Sequence, residues 1–116
     1  MKLQFAHGTV LGFTLAVTAL SFSSGASAFD EEAAKKLAKK NDCTKCHAVD
    51  KDKKGPSYKK IAAKYKGKAD GEEKATKNIT TASKVKLTDG TEEEHKIIDT
   101  KDPKEIKNLV QWILAQ

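Results

Sequence analysis

The stretch Cys43-Thr44-Lys45-Cys46-His47 decides how this sequence is interpreted. It holds both cysteines of the chain, and a histidine directly follows the second one. Two thiols three residues apart on one tight helical turn can add to the two vinyl groups at one edge of a porphyrin, and the next residue can place its imidazole under the iron. The pattern therefore predicts one covalently bound haem c, attached through Cys43 and Cys46, with His47 as the proximal iron ligand.

Three other interpretations of the same motif are open. A redox-active dithiol usually follows a β-strand in a βαβ framework, for which the sequence gives no pattern. A zinc site needs four ligands, and the chain after residue 28 adds only His47 and His95 to the two cysteines. A plain disulfide leaves the adjoining histidine without a purpose. The immediate histidine and the export signal described next both favour haem.

The first 28 residues have the pattern of a secretory signal peptide. Lys2 supplies the positive end, an apolar run extends from Val10 to Phe22, and Ala26-Ser27-Ala28 is a typical cleavage site. A membrane anchor is the alternative, but glycine and threonine interrupt the run and no basic stop follows it. We therefore predict a signal peptide over 1–28, a periplasmic monohaem domain over 29–116, and no membrane insertion of the mature chain.

The charge of the chain is strongly biased toward lysine. Its net charge is +6, and every one of its 22 basic residues is Lys. Because specific nucleic-acid and phosphate recognition favours the bidentate guanidinium of Arg, we predict no nucleic-acid partner. Lysines near the haem motif instead predict redox partner proteins with an acidic docking face. They are Lys35, Lys36, Lys39, Lys40, Lys45, Lys51, Lys53, Lys54, Lys59 and Lys60.

Capping residues and apolar periodicity predict four helices. Their expected starts and extents are as follows: about Glu31 to Asn41 after Asp30, a helix reaching Lys66 after Ser57, a weaker helix after Asp70, and a last helix after Asp102. A short Val85 to Leu87 strand before Asp89-Gly90 is possible. The expected fold is all-α, with about four helices wrapped round one haem. Trp112 lies beside the apolar stripe of the last helix, so we expect it to pack in the core and shield the porphyrin from water.

On these residues the chain resembles the small class I bacterial cytochromes c of the periplasm. The likeness extends over the first helix, the haem motif, the stretch from Gly55 to Tyr65 and the closing stretch from Leu109 to Leu114. The resemblance implies the class I cytochrome c fold. It also implies that the carbonyl of Pro56 accepts a hydrogen bond from the proximal ring N–H of His47.

The sequence departs from that family at the sixth iron ligand. The family usually supplies a methionine from a loop before the last helix, whereas Met1 is the sole methionine here. His95 lies about where that methionine is expected, so it is the candidate distal ligand. Three alternatives remain: a deprotonated lysine of the same loop, a vacant sixth position, or a surface role for His95 on a helical turn capped by Thr91 and Glu94.

The expected function is electron transfer rather than catalysis. A haem with two histidine ligands has no open position for a substrate, and it has a lower reduction potential than a methionine-ligated haem. The main alternative is a haem-based binder or sensor of small molecules such as CO, NO or O2 with a displaceable sixth ligand. A third possibility is a domain that delivers electrons to a separate catalytic protein. No pattern in the chain indicates a catalytic acid, base or nucleophile.

Overall fold

The structure, a computed structural model, describes residues 28–116. The predicted signal peptide lies outside these residues except for Ala28, so the structure gives no view of it. Within the described part, no helix is long and apolar enough to cross a membrane. The elements in chain order are α1 (Glu31–Lys40), α2 (Cys43–Cys46), α3 (Tyr58–Tyr65), α4 (Gly71–Thr80), β1 (Lys84–Lys86), β2 (Glu92–Glu94) and α5 (Pro103–Leu114).

The four predicted helices are present, and their starts follow the capping residues. Asp30 accepts a hydrogen bond from the Ala33 amide at 3.0 Å, and Ser57 accepts one from the Lys60 amide at 3.2 Å. Asp102 caps α5 in the same way. Asp70 makes no capping bond to α4, in agreement with the weaker helix signal there. One further helix, α2, was not among the four predicted helices, and it is the single turn that carries the haem motif.

The core forms where α1 crosses α5. Ala34 and Ala38 of α1 are buried, and their small side chains let the helix approach the buried Leu109 and Trp112 of α5. At the edge of this crossing the side chain of Asn108 bonds to both backbone groups of Asp30, which joins the two ends of the domain. Cys43 of the haem motif packs against this core and is partly buried.

A β-hairpin lies between α4 and α5. The possible strand near Val85 is present as β1, but its partner β2 was not predicted, and the helical turn considered for Thr91 and Glu94 is wrong. Gly90 supplies the left-handed turn conformation with φ of 88°. The strands are antiparallel and oppose lysine to glutamate, with Lys84 across from Glu94 and Lys86 across from Glu92. Opposite charges at facing positions stabilise this pairing.

Candidate haem centre

A cavity of about 680 Å³ opens beside the haem motif. Its volume lies within the range of small-molecule and cofactor sites, about 300–1,000 Å³. Residues of α2, α3, α4, the hairpin and α5 line it, so every element except α1 contributes to the wall. Cys43, Cys46 and His47 lie in the wall together with His95. The fold therefore brings all four predicted ligand and attachment residues to one cavity.

The attachment residues lie on a single helical turn. Asp42 adopts the left-handed conformation with φ of 59°, which turns the chain sharply from α1 into α2. The His47 amide then bonds to the Cys43 carbonyl at 2.9 Å and closes the turn. The two sulfurs are half-buried and are not joined to each other. Burial raises the pKa of the Cys43 thiol, so in the unattached chain it is a neutral thiol at pH 7.

The proximal imidazole is held by the backbone of Pro56. His47 Nδ1 lies 2.6 Å from the Pro56 carbonyl oxygen. A carbonyl only accepts hydrogen bonds, so Nδ1 carries the proton and the lone pair of Nε2 is left to bind a metal. Burial lowers the pKa of His47 more than the Pro56 carbonyl raises it, and nearby His95 lowers it slightly. The ring is thus neutral at pH 7, as metal ligation requires.

Two residues that contact His47 were not predicted individually as site residues. Gly55 is buried against the ring, and Tyr58 stacks on it with ring centroids 5.5 Å apart. Both belong to the stretch that carries the family resemblance, which was the available signal. Asp52 accepts a hydrogen bond from the Ser57 amide at 2.9 Å and so fixes the loop that holds Pro56. Nothing in the sequence marks Asp52 among the 16 acidic residues.

His95 lies across the cavity from His47. The centroids of the two imidazole rings are 6.2 Å apart, and the ring planes differ by 30°. The Lys96 carbonyl accepts from Nδ1 of His95 at 2.8 Å, so Nε2 is again the nitrogen with a free lone pair. An imidazole nitrogen binds a transition metal at about 2 Å with the ring centroid roughly 1 Å behind it, so two such rings on one metal have centroids about 6 Å apart. The observed spacing fits one metal ion between the rings.

Tyr58 lines the cavity, whereas Trp112, the aromatic residue predicted to shield the porphyrin, does not. Trp112 is buried and packs edge-on against Tyr58, with ring centroids 5.2 Å apart, but it is not among the residues that line the cavity. The Tyr58 hydroxyl is buried and has no hydrogen-bond partner among residues 28–116. An acceptor on a bound group would satisfy it. The thiols, the two imidazoles and this hydroxyl all fit a large, covalently attached metal cofactor.

Comparisons with known proteins agree with this site. The family model for cytochrome c matches residues 31–116. Cytochrome c-551 of Pseudomonas aeruginosa is 31% identical over 103 residues, which cover 89% of this chain and 92% of that protein. Cytochrome c-551 of Azotobacter vinelandii is 35% identical over 87 residues, 72% of this chain and 98% of that protein. The crystal structure of the class 1 cytochrome MtoD from Sideroxydans lithotrophicus ES-1 superposes with a TM-score of 0.72 at 58% identity, covering 76% of this chain and 97% of MtoD.

The chain belongs to the cytochrome c family. Its fold is the class I cytochrome c fold, as predicted. The hairpin is present beside the helices that the sequence predicted. It carries one covalently bound haem c at the motif of Cys43, Cys46 and His47, and it is a monohaem electron-transfer protein.

Proposed function

We propose that His47 and His95 are the two axial ligands of the haem iron and that the protein is a periplasmic electron carrier of lowered potential. The observation that carries the proposal is the 6.2 Å spacing of the two imidazole rings, each with Nδ1 engaged by a backbone carbonyl. The haem iron supplies one-electron redox chemistry. The chain binds the group, orients both ring ligands and limits the access of water.

The backbone around His95 supports a fixed distal ligand. The His95 amide bonds to the Ser83 carbonyl at 2.8 Å, and the Ile98 amide bonds to the Ile79 carbonyl at 2.8 Å. Ile98 is also a member of the buried core. A ligand held on both sides in this way needs little rearrangement when the iron changes its charge, which suits electron transfer.

Two imidazoles favour a carrier over the sensor and the enzyme. If both axial positions are filled, the iron offers no open position to a small molecule or a substrate. Imidazole in place of methionine also lowers the reduction potential. We therefore propose electron exchange through the haem edge without bond-making catalysis.

The lysines near the motif support docking to an acidic partner. Six of the ten have an acidic partner within the described residues: Lys35, Lys40, Lys45, Lys54, Lys59 and Lys60. The other four, Lys36, Lys39, Lys51 and Lys53, have no such partner there. Lys53 donates to the Thr44 carbonyl, inside the attachment turn. Its uncompensated charge lies beside the haem attachment edge, where an acidic partner would approach.

A periplasmic location and cleavage after Ala28 are part of the same proposal. They rest on the signal pattern of residues 1–28. A positive end, an apolar run and a small-residue cleavage site are the pattern of a chain exported to that compartment.

The test is the visible spectrum of the haem-loaded protein and of His95→Ala. The parent is expected to be low-spin in both redox states and inert to carbon monoxide, whereas His95→Ala is expected to become high-spin and bind carbon monoxide. His95→Met is the matched variant, because a thioether at the same position is expected to raise the reduction potential. A low-spin spectrum that His95→Ala leaves unchanged would show that another group is the distal ligand.

A further inference from the structure

Asn41 lies at the C-terminal end of α1, and its side chain is bound at both ends. It is only 3% exposed. Its Nδ2 donates to the Leu37 carbonyl at 3.1 Å, and its Oδ1 accepts from the Asp99 amide at 2.9 Å. The bond to Leu37 fixes the orientation of the side-chain amide group. Oδ1 is therefore held facing the Asp99 amide.

The bond between Asn41 and Asp99 joins two chain segments that flank the haem. Asn41 precedes Cys43 by two residues, and Asp99 follows His95 by four. The side chain therefore connects the entry to the attachment turn with the exit from the distal histidine. Two ion pairs join the same segments, from Lys96 Nζ to Asp42 Oδ2 at 3.4 Å and from Lys40 Nζ to Asp99 Oδ2 at 3.6 Å. Both pairs are exposed and long, so they contribute little, and the buried amide is the strongest of the three links.

We propose that Asn41 is a positioning residue for the distal ligand. It holds the segment from His95 to Asp99 against the attachment turn and keeps the imidazole of His95 over the iron. This role rests on the proposed ligation by His95. Without Oδ1 of Asn41 the Asp99 amide loses its partner, and the segment can move away more often. We expect exogenous ligands to enter about tenfold faster or more, the change that corresponds to losing one such hydrogen bond.

The experiment measures cyanide binding to the ferric, haem-loaded protein. Asn41→Ala is expected to bind cyanide about tenfold faster than the parent or more, and the Asp99 amide is expected to exchange with deuterium faster. If Asn41→Ala does not yield haem-loaded protein, Asn41→Ser replaces it, because its shorter side chain cannot reach the Asp99 amide.

Asn108→Ala is the matched control, and His95→Ala is the reference. Asn108 also bridges two backbone groups far apart in sequence, but at the crossing of α1 and α5. Asn108→Ala is expected to lower stability and to bind cyanide at the parent rate. If it accelerates binding as much as Asn41→Ala, the effect is a general loss of stability and the positioning role is wrong.

The two proposals fail in distinguishable ways. If His95→Ala keeps the parent spectrum, both the ligation by His95 and the role of Asn41 are wrong. If His95→Ala loses the low-spin spectrum while the Asn41 variants bind cyanide at the parent rate, the ligation stands and only the positioning role is wrong.

Discussion

Gly55 lies directly against the ring of His47. A Cβ atom on Gly55 would stand 2.6 Å from Cε1 of His47, 3.0 Å from Nδ1 and 3.2 Å from the Cys46 carbonyl oxygen. A real Cβ does not come this close to other atoms, so a larger residue here must displace the imidazole or the attachment turn. Glycine is required at this position by contact with the proximal ligand.

Gly55→Ala is expected to disturb the haem as well as the fold. Forcing His47 away from the Pro56 carbonyl is expected to cost about 1–3 kcal/mol in the free energy of unfolding. It is also expected to reduce the yield of low-spin, haem-loaded protein. Denaturant unfolding and the visible spectrum measure the two effects.

Gly67→Ala is the control for that prediction. Gly67 has φ of 72°, and a Cβ atom there would meet nothing within 4 Å, so alanine only strains the backbone. We expect a loss of about 1–2 kcal/mol with an unchanged spectrum. A Gly55→Ala protein with the parent's spectrum would contradict the contact argument.

The charge of Asp52 is expected to make stability depend on pH. Lys60, and after it the Ser57 amide, lower the pKa of Asp52 from 3.8 in the folded chain. A lowered folded-state pKa means that the carboxylate stabilises the fold above its ordinary pKa, and this stabilisation is lost as the pH falls through the lowered value. Asp52→Asn is therefore expected to be less stable than the parent at pH 7, and the difference is expected to shrink below pH 3.8.

Urea unfolding of the ferric protein at several pH values measures this difference. Asp50→Asn removes the same charge from a surface pair with Lys59 and is the matched control. Its effect at pH 7 is expected to be smaller, because Asp50 takes part only in an exposed ion pair, whereas Asp52 also accepts the hydrogen bond from the Ser57 amide. A stability gap between the parent and Asp52→Asn that stays constant as the pH falls would rule out the charge of Asp52 as its cause.

The uncompensated lysines at the attachment edge are expected to guide anionic partners. With ferricyanide as an anionic oxidant, the oxidation rate of the reduced protein is expected to fall as salt is added. Lys51→Gln with Lys53→Gln is expected to slow the reaction at low salt by about two- to fivefold. The same charge change at Lys104 and Lys107 on α5 is expected to have a smaller effect, since Lys53 bonds to the Thr44 carbonyl of the attachment turn and neither of these lysines has such a contact within residues 28–116. Equal effects of the two double variants would show that the net charge of the protein, and not the position of Lys51 and Lys53, sets the oxidation rate.

The sequence predicted those parts of the molecule that local chemistry determines. The five-residue motif specified the cofactor, and Asp30, Ser57 and Asp102 marked the starts of three helices because capping depends on a few adjacent residues. The hairpin strand Glu92–Glu94 was missed, since three consecutive glutamates have no strand propensity and pair only because Lys84 and Lys86 face them. The contacts of Asn41 with Asp99 and of Gly55 with His47 join residues that only the folded chain brings together.

The crossing of α1 and α5 makes closure of the domain depend on the docking of α5. Leu109, Val110, Trp112 and Ile113 supply much of the buried core, and all belong to this helix. Until α5 has docked, Ala34, Ala38 and Tyr58 lack the surface that they pack against. A chain in which α5 has not docked therefore leaves the Cys43 and Cys46 thiols more accessible, so docking of this helix limits the time in which haem can be attached.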